Sequence, residues 1–436
     1  MNVLKAERIC GIETFFTSFA GVGGKLRFLP EDFIVEELFK HPEEKTNGTY
    51  TIAEVSAKSW ETNRLISQMS KSLGISRRRI GFAGTKDKRS ISSQLMSFYN
   101  VPKEKVLAIK LKDVTLTNVY TSYKPVKIGE LKGNKFKIVV REIIKPSASE
   151  NVQKNITEIQ KTGGFPNFYG IQRFGVTRPI SHIVGKHIVN GDFKSAVMTY
   201  IANPIKGENE ETYKLREKLK QTHDYSEALK NYPDQLNYEK AMLNYLVKNT
   251  DDFIGAIQEL PRNLQTMFIY AYQSYIFNKI LSKRIQKKLP LNKALEGDII
   301  LPVRKNIVDE KAIIVTSINC VKVNKQISKG KAFVSGPLVG NDTLFSQGEM
   351  GELEHSIIDK EICDPRDFTI PDIPRLSSSG SRRALLAHIS DLKCQIVDDE
   401  WNENKKKMVV QFALRKGCYA TSFMREIMKS DDIKKY

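Results

Sequence analysis

The sequence predicts an α+β protein, and three observations carry that reading. Its first 165 or so residues mix β-rich runs with helix-spaced apolar residues. A stretch from about 205 to 290 is dense in Lys, Glu, Leu and Tyr with few β signals. The chain then ends on a strand, a glycine-containing turn and a helix. Phe33 to Glu37 and Thr49 to Val55 are rich in β-branched and aromatic residues, as strands are. Over Glu61 to Leu73, the residues Leu65, Ile66, Met69 and Leu73 recur at helical spacing, and Gly74 can close that helix. Ile91, Leu95 and Phe98 are spaced for a helix or for irregular packing. Lys135 to Arg141 alternates. Phe136, Ile138 and Val140 point one way; Lys135, Lys137 and Arg141 point the other, giving a half-buried strand with a basic outer face. Asn151 to Lys161 reads as a helix that stops at Gly163 and Gly164. Leu264 to Lys287 is a long helical pattern whose cations Lys283, Arg284, Lys287 and Lys288 gather at the end where they suit the helix dipole. Short β-like runs return from Gly297 to Val339, and Asp364 to Ser381, with its prolines and Ser-Ser-Ser-Gly-Ser run, reads as a loop crossing. Val409 to Leu414 is the last strand, and the last helix begins near Thr421.

At 436 residues the chain has room for two or three domains. Its 69 Lys and Arg against 50 Asp and Glu leave a net charge of +19, which favours a polyanionic partner such as nucleic acid. Five scattered cysteines, none in a C-x-x-C pair, argue against a disulfide framework and a structural zinc site. The six histidines form no H-E-x-x-H or H-x-E arrangement, so metal chemistry, including zinc-dependent deamination, is not expected. No apolar run reaches the roughly 20 residues of a membrane span. The N-terminal MNVLKAERICGIETFF is not a secretory signal, so a soluble cytoplasmic protein is expected. Gly21 to Lys25, GVGGK, lacks the first glycine of a phosphate loop, and Leu26 stands where Ser or Thr is required, which excludes nucleotide hydrolysis.

The most informative stretch is Gly81 to Gln94, GFAGTKDKRSISSQ. It sets Asp87 between Lys86 and Lys88 in a glycine-rich turn. A carboxylate so flanked stays ionised at neutral pH, the state a carboxylate nucleophile needs. A solvated surface turn has the same composition; the rest of the sequence decides between the two.

This loop resembles the active-site loop of the TruD family, the tRNA pseudouridine-13 synthases. The resemblance continues in order through PEDFIVEE (30–37), LKGNKFKIVVRE (131–142), PNFYGIQRFG (166–175), YQSYIFNKILSKR (272–284), SGPLVG (335–340), SRRALL (381–386) and FALRKGCYATSFMREIM (412–428). It covers essentially the whole chain. It implies a pseudouridine synthase catalytic fold: a mixed, mostly antiparallel sheet flanked by helices, with an inserted α/β TruD-specific domain. The expected limits are 1–185 for the N-terminal part of the catalytic domain, 186–372 for the insertion, and 373–436 for the strand and helix that complete the catalytic domain.

The resemblance implies an enzyme that isomerises uridine to pseudouridine in tRNA, at position 13 by the family's name, through base flipping and an essential Asp. The reaction involves no redox step and no cofactor. tRNA is the expected partner, with no membrane, no metal and no obligatory protein partner. By resemblance Asp87 is the essential carboxylate, acting either at the anomeric carbon or as a base at C2′. Arg27 stands where the family motif carries a basic residue and is the expected ion-pair partner of Asp87, with Lys86 second. Phe33 is a candidate wall of the uracil pocket. Asn167 can hydrogen-bond a uracil edge with donor and acceptor, and Tyr169 would lie against the base or sugar. Here the chain departs from many members, which carry Tyr then Phe where it has Phe168 then Tyr169. Gln172 and Arg173 follow, Arg173 binding phosphate or bracing the loop. In the last block Thr421 and Ser422 can cap the final helix, and Arg425 faces a choice between phosphate and an intramolecular partner. Two other readings share parts of this pattern. A basic RNA-binding protein without chemistry explains the charge, and an N-glycosylase shares the Asp chemistry; tritium release and a search for free uracil separate them.

Overall fold

The computed structural model describes residues 3–144, 147–304, 307–309, 311–361 and 363–436, and its chain divides into two compact units. One comprises Thr17–Phe165 and Ala387–Tyr436. The other comprises Pro166–Leu386 and the N-terminal residues up to Phe16. The chain therefore crosses between units near residues 16, 165 and 386, whereas the sequence changes character near 185 and 372.

The first unit is built on a ten-stranded sheet. Its strands are β1 (Lys25–Leu26), β2 (Phe33–Leu38), β3 (Tyr50–Lys58), β4 (Ile80–Phe82), β5 (Ile91–Tyr99), β6 (Val114–Ser122), β7 (Gly133–Ile143), β8 (Gly164–Pro166), β14 (Leu386–Asp398) and β15 (Lys406–Arg415); β9 to β13 lie in the other unit. The order is β6-β3-β5-β2-β7-β15-β14-β8, with β1 added on β7 and β4 on β5. β2 and β5 run parallel; β3–β5, β3–β6, β2–β7, β7–β15 and β14–β15 are antiparallel. The C-terminal strand β15 thus lies beside β7 in mid-sheet, which is why the last fifty residues belong to this unit.

The alternation read in β7 holds: Phe136, Ile138 and Val140 are buried while Lys135 and Lys137 are exposed. Those apolar side chains pack with Phe412, Phe423 and Ile427 and with Val152, Ile156 and Ile159 of the helix Ala148–Thr162. Each contributes about 1.5–3 kcal/mol on full burial. Arg141 departs from the expected basic outer face. It is buried, because Asp32 and Asp399 close over it and take its guanidinium in ion pairs of 2.8 and 2.7 Å.

The helix Thr62–Leu73 forms as its pattern dictates. Glu61 accepts hydrogen bonds from the backbone N–H groups of Asn63 and Arg64, and Gly74 ends the helix in the left-handed region at φ 65°. It buries Leu65, Ile66 and Met69 against Val55, Met96 and Phe98. The expectation of a helix or irregular packing at Ile91–Phe98 is corrected: this is strand β5. It lies between β3 and β2 with Gln94 through Phe98 buried in succession, so covering on both faces erases the alternation that marks a half-exposed strand.

The second unit is largely helical. Its axis is the helix Arg262–Gln286, close to the expected span. Phe268, Ile269, Tyr272 and Ile276 anchor its core together with Val184, Ile188 and Val197 from earlier helices. A small antiparallel sheet, ordered β10-β9-β12-β13 with β11 on β9, contains β9 (Ile299–Arg304), β10 (Ile307–Val308), β11 (Ile313–Ile314), β12 (Ala332–Leu338) and β13 (Ser381–Ala384).

Candidate active site

In the first unit Asp87 stands on the loop between β4 and β5. Gly81 begins the approach to that loop: a Cβ there would sit 2.4 Å from the Val126 carbonyl oxygen, so only glycine permits the contact. Asp87 itself projects outward, with 70% of its side chain exposed, and one oxygen accepts a 2.8 Å charged hydrogen bond from Arg27 Nη2. The loop tip leaves the carboxylate open on one side and paired on the other. Arg27 follows β1 in the left-handed region, φ 56°, an uncommon conformation for a residue other than glycine. Its guanidinium lies 4.5 Å from the centroid of the Phe33 ring. Its buried Nε has no hydrogen-bond partner among the described residues, so ring stacking and Asp87 orient the group.

Lys86 does not serve Asp87. Its side chain turns inward, and its ammonium pairs at 2.5 Å with Glu37, whose side chain is fully buried on β2. The Lys86 backbone N–H donates to Thr62 Oγ1 at 2.7 Å, and the Ser90 hydroxyl donates to the Asp87 carbonyl at 2.7 Å. These bonds hold the loop from beneath. Burial pushes the Glu37 carboxyl up from its ordinary value, and the Lys86 ammonium opposes the rise.

Phe33 is buried, edge-on to Phe136, and its ring is the platform beneath Arg27. Arg425 is buried and pairs with Glu426 at 2.7 Å, which corrects the phosphate contact weighed for it. The last helix starts at Ala420 with Tyr419 at its N-cap, so Thr421 and Ser422 fall inside the first turn and do not cap it.

In the second unit the block around Asn167 is locked from two directions. The Asn167 amide nitrogen donates to the Ala384 carbonyl at 2.9 Å, and its amide oxygen accepts from Arg383 Nη2 at 2.7 Å. One N–H and one lone pair of the side chain stay outside these two bonds. Asn278 holds the Tyr169 backbone at both ends, accepting its N–H at 2.9 Å and donating to its carbonyl at 3.0 Å. The Tyr169 ring, mostly buried, lies 4.1 Å from the Arg383 guanidinium and edge-on to Phe277. Gln172 is exposed, and Arg173 is half-buried with its guanidinium 5.6 Å from the Tyr169 ring.

Three residues that hold candidate site residues in place escape motif reading: Glu37, Asn278 and Arg383. Each falls inside a block that carries the resemblance, and that membership is the only signal the sequence holds for them.

The family model described as tRNA pseudouridine synthase D (TruD) matches residues 9–427. The chain belongs to the TruD family. It is 42% identical over 442 residues to "Probable tRNA pseudouridine synthase D" of Methanosarcina barkeri, covering 99% of each chain. It is 39% identical over 420 residues to the like-named protein of Pyrococcus furiosus, covering 95% of this chain and 98% of the other. Among solved structures it is similar to the tRNA pseudouridine synthase D (TruD) crystal structure from Methanosarcina mazei, with a TM-score of 0.91, 40% identity and full coverage of both chains. The α+β fold with its large, mostly antiparallel sheet is thus the TruD fold. This TruD-family chain is an RNA pseudouridine synthase, an isomerase acting on tRNA, and the reading as a basic RNA binder without chemistry is set aside. Among the described residues no helix is long and apolar enough to cross a membrane.

Proposed function

We propose that Asp87 is the catalytic carboxylate, acting on the sugar of a uridine turned out of its helix, that the target is position 13 of tRNA, and that the reaction takes place in the cytoplasm. The observation that carries the assignment is the Arg27–Asp87 ion pair of 2.8 Å, formed between the loop of the resemblance and a basic residue just ahead of the PEDFIVEE block, sixty residues earlier. Isomerisation breaks the bond from uracil N1 to C1′ and forms one from C5 to the same carbon; N1 gains a proton and C5 loses one. A carboxylate with one oxygen held by a guanidinium keeps its other oxygen for the sugar. Arg27 is held by the Phe33 ring, so it orients Asp87. Asn167 and Tyr169 contact the uracil or its ribose, with Gln172 and Arg173 beside them. Extrusion of the base costs a few kcal/mol, which contacts of this kind offset.

The test is tritium release from tRNA labelled at uridine C5, with the product mapped along the tRNA. Wild-type protein is expected to release label and leave pseudouridine at position 13. Asp87→Ala and Asp87→Asn are expected to release none while still binding tRNA. Release at the wild-type rate by either variant would remove Asp87 from the chemistry.

A further inference from the structure

Beside Tyr169 the second unit carries an open cleft of about 380 Å³, within the range of small-ligand sites and large enough for one nucleotide. Among the described residues Arg173 is the only charged one on its walls, so the cleft favours an anion. The Arg173 guanidinium lies 5.6 Å from the Tyr169 ring and 5.8 Å from the Tyr270 ring. Its hydrogen bond runs from Nε to Ser274 Oγ at 3.4 Å; among the described residues nothing takes up its Nη donors. Tyr270 is 46% exposed, although Ala271 and Tyr272 beside it are fully buried. One turn further along the same helix, Gln273 and Ser274 continue this wall.

The opposite wall is the turn Ser378–Ser381. Gly380 holds it at φ 81°, and a Cβ there would come within 2.3 Å of Thr343 Oγ1. Gln273 fixes the turn, donating to Ser378 Oγ at 2.9 Å and to the Val339 carbonyl at 2.6 Å. The result is a shaped site: an exposed aromatic face, an adjacent cation with donors to spare, and serine hydroxyls opposite. That combination is how proteins hold a single-stranded nucleotide, with the base on the ring and the phosphate on the guanidinium.

We propose that this cleft is a subsite for a second nucleotide of the tRNA, a close neighbour of the target uridine, whose base stacks on Tyr270 and whose phosphate lies on Arg173. The inference rests on the reading above that Tyr169 faces the target nucleotide. Turning one base out of a helix unstacks its neighbours; capturing one of them offsets that cost and draws on binding energy remote from the reacting atoms.

Affinity for unmodified tRNA transcript is measured for wild type, Tyr270→Ala and Tyr270→Phe, with intact RNA and with RNAs made abasic one at a time at the two nucleotides on each side of the target. Tyr270→Ala is expected to weaken binding about 5- to 150-fold, the worth of one base–aromatic stack. Tyr270→Phe keeps the ring and should bind as wild type. One abasic RNA should show the same loss with wild type and no further loss with Tyr270→Ala. Unchanged affinity in Tyr270→Ala, or strictly additive losses at all four positions, overturns the subsite. These binding results are independent of chemistry. If wild type forms pseudouridine and Asp87→Ala does not, the catalytic reading stands whatever happens at Tyr270; if Asp87→Ala is active, that reading fails first.

Discussion

A guanidinium laid on an aromatic ring gains orientation as well as energy, and Arg27 and Arg383 both use the device. Arg27 lies on Phe33 and presents its edge to Asp87; Arg383 lies on Tyr169 and presents its edge to Asn167. Arg383 also donates from Nε to the Asn167 carbonyl at 3.2 Å, so its planar fork grips side chain and backbone of one residue together. A lysine has the charge but neither the plane nor the fork. Arg383→Lys is therefore expected to lower kcat by about 10- to 100-fold, the scale of a small misplacement of positioning groups, while tRNA affinity changes little. Single-turnover conversion at saturating enzyme, set beside filter binding, separates the two effects. Equal losses in rate and affinity would make Arg383 an RNA contact and not a positioning residue.

Elements hold these residues in place, and two of them carry predictions of their own. The β4–β5 loop is tied to β2 by the buried pair Lys86–Glu37. Removing one partner of a buried pair strands the other, at a cost of about 3–5 kcal/mol. Lys86→Met and Glu37→Leu are each expected to destabilise the first unit by that amount in urea unfolding, and the double variant by less than either. A double variant with summed losses would show that the two side chains act independently. In the helix Ser181–Val189, His182 is packed between Phe174 and Tyr275, with Glu361 and Lys186 as its charged neighbours. Burial lowers it from 6.5 to about 4. The folded chain keeps this ring neutral where the unfolded chain protonates it. Its contribution is thus fully present above about 6.5 and is lost as pH falls toward about 4, a decline of about 3 kcal/mol. His182→Phe should flatten the stability–pH curve over that window; an unchanged slope would assign it to other groups.

How far these elements were legible depends on what covers them. The helix Thr62–Leu73 and strand β7 each have one wet face, and their periods show plainly. β5 is covered on both faces and lost its period. β14 was not foreseen at all: a bulge between Ser390 and Lys393, with Asp391 at φ 54°, breaks its alternation in the middle. The same limit applies at the site. Arg27 and Asp87 could be paired because the resemblance puts a basic residue at 27 and the essential carboxylate at 87, whereas the reach of Arg383 to Asn167, 216 residues back, follows only from how β13 pairs with β12 and brings its end to that loop. The inward turn of Lys86 likewise depends on Glu37, which shares a face of β2 with buried Phe33 and Val35, yet nothing in the sequence pairs it with Lys86.

At the scale of the whole molecule the count of 69 Lys and Arg overstates the cations that RNA can meet. Arg141, Arg216, Arg284 and Arg382 all have side chains no more than 5% exposed, each paired with an acidic partner: Asp399, Glu239, Asp298 and Glu354. They stiffen their units and neutralise no phosphate. Arg284 in particular sits at the end of the long helix where its charge looked like a complement to the dipole, yet its partner is Asp298 at 2.6 Å. The cations left for a polyanion are exposed ones such as Lys135 and Lys137, which stand on the outer face of β7 opposite Ala413 and Gln411 of β15. Only Glu36, across from Lys135 on β2, offers a carboxylate among their paired positions. Each phosphate neutralised contributes about 0.7 to 0.9 to the slope of log affinity against log salt, lower for single strands than for duplex. The double variant Lys135→Ala/Lys137→Ala is expected to make that slope shallower by about 1.4 to 1.8, with the thermal midpoint nearly unchanged because both side chains are solvated. Titrating tRNA binding between 50 and 200 mM salt (about the range over which such slopes are resolved) reads the difference directly. A slope equal to that of wild type would mean that the outer face of β7 lies off the RNA path, and the phosphate contacts would then have to come from exposed lysines elsewhere in the chain.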